Sequence, residues 1–164
     1  MLVYIALFGA LSIVLTSLRV SFPLGNPNLG STAVSVVAVA SPGLSAFAVG
    51  LIKGVGASLW TGQAIIEIPA GIGDGMMGLL TSWLSRRKNP AIAVVVGQLS
   101  RYVFTSGMIS LSLSIFQSNL YPSFIAAWHA MIPAITLSIV GNALISLYLV
   151  QNLHLFTRSI QERF

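Results

Sequence analysis

From Leu2 to Val150 the chain is almost continuously apolar, and most of its basic residues are gathered in two places: Arg86, Arg87 and Lys88 in one run, Arg158 and Arg163 in a tail. Long apolar segments punctuated by basic connections are the pattern of a polytopic membrane protein whose Lys/Arg-rich loops stay on the cytoplasmic side. Composition agrees. With 55% hydrophobic and 7% charged residues there are too few polar side chains to cover a water-facing globule, whereas a bilayer requires an apolar exterior. The net charge of +5 is better matched by anionic lipid headgroups than by nucleic acid, because basic and aromatic residues do not interleave on a polar face. The absence of cysteine rules out disulfides and thiolate metal sites.

A crossing needs roughly 20 helical residues, so residues 1–164 are expected to form one integral membrane domain, an all-α bundle of six transmembrane helices. The predicted helices are Leu2–Leu18, Thr32–Ala40, Leu44–Trp60, Ala64–Leu84, Ala91–Phe116 and Phe124–Val150. The first lacks a basic leader and a small-residue cleavage site, so it reads as a retained helix. The second is short, by length alone either a half-crossing or a helix whose outer end begins inside the preceding Pro/Gly-rich loop, Ser21 to Gly30. The tail from Gln151 is polar and basic, either an interfacial helix carrying Ile160 and Phe164 or solvated coil. Six crossings put both termini, the Ser41-Pro42-Gly43 turn and the Arg86 run on one side, predicted cytoplasmic, while Arg19 falls on the other.

Four ionisable residues fall within the apolar segments: Lys53, Glu67, Asp74 and Arg101. A charge at bilayer depth costs roughly 2.5 to 3.5 kcal/mol on insertion scales, so such residues face the bundle interior and are paired or functional. Lys53, Asp74 and Arg101 lie near mid-depth, where pairing between helices and contact with a solute are both open. Glu67 sits nearer the outer end of its helix and has no obvious partner. Glu67, Gly71 and Asp74 share one stripe, as do Lys53, Gly56 and Trp60, and Gly97, Gln98, Arg101 and Thr105; Trp128, Ser138 and Asn142 lie on the sixth helix. Polar and glycine stripes converging toward one leaflet supply the room, the donors and acceptors and the aromatic wall of a small-molecule pocket. The candidate substrate-binding residues are Asn28, Trp60, Gln63, Glu67, Asp74, Arg101, Trp128 and Asn142. Trp60 and Trp128 also suit interfacial anchors, and Trp83 beside the basic run reads as one. An acid with aromatic rings favours a nitrogen-bearing cation or zwitterion, while Arg101 and Lys53 would accept a carboxylate.

Small residues on the first helix, Ala6, Gly9 and Ala10, make a close-approach stripe, and Gly50/Gly54 and Gly71/Gly75 repeat the GxxxG spacing. No enzymatic constellation is present. His129 and His154 are predicted at opposite membrane faces, there is no HExxH, GxSxG or phosphate-binding loop, and no cofactor or metal is expected. An ATP-driven role would have to borrow a partner's motor.

The combination of Ala6-Leu7-Phe8-Gly9-Ala10, a long first outer loop ending in Asn28-Leu29-Gly30, and Ala40-Ser41-Pro42-Gly43 followed by Gly50, Gly54 and Gly56 resembles the substrate-binding S component of energy-coupling factor (ECF) vitamin transporters. The resemblance implies a six-helix protein of the prokaryotic cytoplasmic membrane that captures a small water-soluble vitamin from outside. Loops would close over the vitamin, and delivery would go through a separate transmembrane T component and paired ATPases. It also implies that Ala6 and Ala10, matching an AxxxA motif, dock onto the T component. Where the resemblance has an acid after Asn-Leu-Gly, this chain has Ser31. The competing class is a stand-alone proton-coupled carrier in which Asp74 or Glu67 titrates, though no convincing inverted repeat favours it. The predicted orientation is checked by single cysteines at Ser31, Asn89 and Asn119: Asn119 labels from outside and Asn89 only after permeabilisation, the reverse pattern inverting the topology.

Overall fold

The computed structural model describes residues 2–20 and 26–161, with side chains described as far as residue 152. It contains α1 (Leu2–Ser17), α2 (Gly30–Ala40), α3 (Gly43–Thr61), α4 (Ala64–Ser85), α5 (Pro90–Ser100), α6 (Phe104–Phe116) and α7 (Phe124–Gln161), and no strand among the described residues. Four stretches are long and apolar enough to cross a membrane: α3, α4, α5 with α6 taken together, and α7 through Asn152. At about 1.5 Å per residue α1 and α2 reach only about 24 and 17 Å, short of a hydrocarbon core of about 30 Å. The short α2 is buried at every position from Gly30 to Ala38, so neighbouring helices rather than lipid surround most of its length. Lipid-compatible residues such as Leu7, Val14, Leu59, Val103, Ile115 and Leu144 cover the outside.

Helix α2 begins at Gly30, inside the loop, as one of the two alternatives expected. Two boundaries differ from the sequence expectation. The predicted fifth helix is two helices, interrupted at Arg101, Tyr102 and Val103. Helix α7 continues beyond Val150 to Gln161, because nothing between Gln151 and Gln161 is a proline or glycine that would stop it. Of the two expectations for the tail, helix and coil, the backbone to Gln161 is helical, while Phe164 lies outside the described residues.

The glycine repeats are spent on packing. A Cβ at Gly50 would come within 2.6 Å of Gly75 N, one at Gly54 within 2.8 Å of Gly71 Cα, and one at Gly71 within 2.6 Å of Gly54 Cα. Backbone-to-backbone contact therefore joins α3 to α4 along both GxxxG pairs, as small residues permit between membrane helices. This corrects the expectation that Gly71 opens space beside Glu67 and Asp74. Gly56 is likewise filled by Ile13 of α1, and Gly9 faces Ile52 of α3.

Pro69 lies inside α4 and has no N–H to give the carbonyl four residues earlier. That carbonyl, Ile65 O, accepts instead from Ser112 Oγ of α6 at 2.8 Å, so the freed backbone group is satisfied by a neighbouring helix. The Ser82 hydroxyl donates to Ser41 O at 3.3 Å, setting the α2–α3 turn beside the end of α4 that carries the Arg86 run. The opposite end holds residues 26–28, the α3–α4 turn and the α6–α7 connection. Ser31 is buried, so among the labelling positions Asn89 and Asn119 are the exposed ones. If Ser112 repairs the proline break, Ser112→Ala should lower unfolding stability in detergent by about 1 kcal/mol. Ser114→Ala removes only a bond within its own helix and should change it little; equal effects would show that the bond across helices is not special.

Candidate solute-binding site

Asp74, fully buried on α4, is the centre of the interior. Its Oδ2 pairs with Lys53 Nζ of α3, and its Oδ1 accepts from Arg101 Nε at 2.9 Å and from Thr105 Oγ1 at 2.7 Å. Two cations and a hydroxyl thus occupy one carboxylate, with charge-assisted bonds that exceed neutral ones in strength. Arg101 Nη1 goes on to Ser138 Oγ at 3.1 Å and Gln98 Oε1 at 3.3 Å, and Gln98 Nε2 donates to Ser35 Oγ at 2.8 Å. On α7, Asn142 Oδ1 accepts from Thr32 Oγ1 at 2.9 Å. One polar network therefore ties α2 through α7 together at mid-depth.

The helix break makes this reach possible. Around it the amides of Arg101, Tyr102 and Val103 bond three residues back and that of Ser106 bonds five residues back to Arg101 O, a local tightening and widening of the kind found at functional helix irregularities. The carbonyls it frees are covered: Ser106 Oγ donates to Tyr102 O, and Trp128 Nε1 donates to the same carbonyl at 2.8 Å. Trp128 thus braces the break from α7.

Beside the network lies a cavity of about 40 Å³ lined by Asn26, Pro27 and Asn28 from the loop, the charged Lys53, Glu67 and Arg101, Thr105 and Ser138, and an aliphatic wall of Ile66, Ala70, Ile109, Met131, Ala134 and Ile135. That volume holds a few waters. Loop residues roof it. Asn28 O accepts from Asn142 Nδ2 at 2.6 Å and from Ser138 Oγ at 3.1 Å, while Asn28 Oδ1 accepts the Gly30 amide at 3.0 Å. Gly30 itself is wedged so that a Cβ would strike Thr16 Oγ1 and Lys53 Cε. This close approach explains why glycine follows Asn28-Leu29.

Of the residues singled out from sequence, Asn28, Glu67 and Arg101 line the cavity, and Asp74 and Asn142 stand behind it in the network. Three others lie elsewhere. Trp60 is 58% exposed with the Arg19 guanidinium stacked 4.9 Å from its ring centroid. Gln63, exposed, precedes α4 beside a separate groove shared with Gln117. Trp128 is engaged with the helix break. The cavity wall is consequently aliphatic with one thioether, where sequence had suggested aromatic rings. Lys53 and Ser138 were visible as polar stripe members, while Met131 and Ile135 escaped notice although their spacing to Ser138 and Asn142 places all four on one face of α7. Trp83, 4.4 Å from Arg87 by its ring centroid, sits at the basic end as expected of an anchor. Among the described residues no three of His, Asp and Glu gather as a metal site.

Comparison with solved structures gives the fold a context. The chain is similar to the S component of a bacterial ECF transporter, with a TM-score of 0.73 over 95% of this chain and 96% of that one, at 15% sequence identity. The fold is that of an S component. No family model and no curated protein matches the sequence, so the S-component likeness is carried by shape and by the sequence features that resemble it. Within that S-component fold, Asp74 holds two buried cations that would otherwise be uncompensated. Asp74→Asn should therefore cost roughly 3 to 5 kcal/mol of unfolding stability, measured by thermal or denaturant unfolding in detergent, whereas Glu67→Gln should cost far less.

Proposed function

We propose that this chain is the substrate-binding S component of an ECF-type importer in the prokaryotic cytoplasmic membrane, with its termini cytoplasmic. It captures a small water-soluble vitamin or related metabolite from outside and passes it to a separate T component with paired ATPases. The observation that carries this reading is a charged cavity roofed by the loop ending at Asn28, set inside an S-component fold. The cavity lies toward the end of the bundle opposite the Arg86 run, which supports an outward-facing mouth. Asn28, Glu67, Arg101 and Lys53 are the residues proposed to meet the solute, with Asp74 and Asn142 holding them in place. A proton-coupled carrier is less well supported, because the carboxylate nearest the centre, Asp74, is committed to two cations and a hydroxyl.

The first helix supplies the proposed docking face. Ala6 and Ala10 are exposed while Gly9 is buried against Ile52, so the small-residue stripe divides into an outward pair for the T component and an inward glycine for packing. Co-expression with a T component and its ATPases tests the function: the proposal expects a stable complex and ATP-dependent uptake. Ala10→Trp should abolish complex formation and leave solute binding by the isolated protein unchanged, whereas uptake by this chain alone would establish a stand-alone carrier.

A further inference from the structure

Around the cavity and its roof stand three cations, Lys53, Arg101 and Arg19, and two acids, Asp74 and Glu67. Asp74 is shared by Lys53 and Arg101, which leaves one positive charge over. Glu67, buried and lining the cavity, is acted on by the charge of Lys53 first and of Arg19 second, and its one negative charge offsets only one of the two that remain. Residues 21–25 of the loop are uncharged, and the chain's third acid, Glu162, belongs to the tail. One positive charge is therefore in surplus. Arg19 is tied to the roof: it pairs with Asn28 in an antiparallel bridge, Val20 N donates to Pro27 O at 2.9 Å, and Pro27 and Asn28 line the cavity. Two residues on, a Cβ at Gly30 would come within 2.7 Å of Lys53 Cε, so one short segment runs from Arg19 to Lys53. The Arg19 guanidinium lies over the Trp60 ring at 4.9 Å from its centroid, which occupies its face and leaves its edge for hydrogen bonds. At that edge Nη1 is buried and, among the described residues, has no hydrogen-bond partner. A buried cationic donor without an acceptor is costly.

We infer that Arg19 is a solute-binding residue and that the solute is a net anion whose carboxylate accepts a hydrogen bond from the Arg19 guanidinium. This rests on the reading of the cavity as the binding site. A carboxylate supplies both things the set lacks, an acceptor for the unpartnered nitrogen and the one negative charge that balances three cations against two acids. Lys53 and Arg101 keep N–H groups beyond those used on Asp74, Gln98 and Ser138 for other acceptors of the same solute, while the Glu67 carboxylate disfavours a second anionic group. An anionic lipid headgroup offers the same chemistry at the outer end of the bundle, so dissolved probes in non-ionic detergent are needed to separate the two sources.

Nicotinate, nicotinamide and 3-(aminomethyl)pyridine place an anionic, a neutral and a cationic group on one ring, and are titrated into the purified full chain while thermal stabilisation is followed. Nicotinate should bind about tenfold or more tightly than either of the others. In Arg19→Gln that preference should vanish with nicotinamide changed less than about threefold, and Arg19→Lys should recover part of it; an arginine that only anchors the loop would weaken all three probes alike. Nicotinate should also change indole emission saturably, a change lost in Trp60→Phe, which keeps the inference open to refutation if Arg19→Gln does not fold. A wild-type order led by nicotinamide or the cation, a nicotinate preference that survives Arg19→Gln, all three probes weakened alike, or an emission change that survives Trp60→Phe overturns the inference. If none of the three binds, native mass spectrometry of wild type and Arg19→Gln as purified decides. A carried-over carboxylic acid present in wild type and lost from Arg19→Gln supports the inference. A neutral or cationic solute, an acid that Arg19→Gln retains, or a phospholipid as the species lost overturns it and leaves the cavity reading standing. No binding of the probes together with no carried-over solute overturns both.

Discussion

The interior is organised by the Asp74 carboxylate. In a low-dielectric bundle a lone cation costs several kcal/mol, and here one acid on α4 pairs with two cations from other elements, so that neither is left without an ionic partner. The arrangement fixes more than charge. Because Lys53 reaches it from α3, Arg101 from the α5–α6 junction and Thr105 from α6, three packing interfaces must be in register at once for the acid to be satisfied. A shift of any of these helices by one turn, about 5.4 Å, would strand a charge. The ion pairs thereby select one arrangement among the many that apolar helices in lipid would accept, since apolar side chains gain little by choosing each other over lipid tails.

Backbone irregularities are tolerated around this centre because each has a side chain assigned to it. Pro69 frees a carbonyl that Ser112 takes, and at the break after Ser100 the Tyr102 carbonyl is taken by both Ser106 and Trp128. In water a solvent molecule would do the same; at membrane depth it must be another helix. The donors therefore serve as interhelical joints, α6 to α4 in one case and α7 to the break in the other. Trp128 is thus engaged at the break, although its indole at the end of an apolar helix reads from sequence as an interfacial ring. The amphipathic side chain is placed by a backbone defect that only the structure reveals.

What was legible in the sequence follows the same division. Several helix starts came through because apolar length and Pro/Gly punctuation are local: α3, α4 and α7 begin within a residue of expectation. The buried charges were also visible, since four ionisable residues in apolar segments have few places to go. Pairing of Asp74 with Lys53 or Arg101 was one of the open readings; that both cations share it at once was not legible, because Asp74 lies 21 residues from Lys53 and 27 from Arg101 and nothing local states which helices abut. Glycine stripes misled for a related reason. A glycine signals that something comes close, and Gly71 and Gly56 meet neighbouring helices rather than a solute. The interruption at Arg101 left no proline or glycine trace, so the stretch from Ala91 to Phe116 read as one rod.

Under the proposed function, the loop over the cavity sets a thermodynamic condition on a solute that binds there. A cavity of about 40 Å³ is far below the roughly 300 Å³ or more of a typical small-molecule site, so a solute of ordinary size requires residues 26–28 to withdraw. Withdrawal breaks the bonds from Asn142 and Ser138 to Asn28 O, about 0.5 to 1.5 kcal/mol net apiece, which together bias the free protein toward closure by about 1 to 3 kcal/mol. That is roughly a fivefold to more than hundredfold preference, small enough for a tightly held solute to overcome and large enough to keep the polar centre shut without one. Ser138 connects the two, since the hydroxyl that donates to Asn28 O also accepts from Arg101. A solute that draws the guanidinium toward itself removes a bond polarising that hydroxyl and weakens its hold on the loop. Asn142 Nδ2, which holds Asn28 O and is itself positioned by Thr32, also donates to that same Ser138 hydroxyl at 3.2 Å, so both bonds to the loop are coupled through Ser138 to the position of the guanidinium.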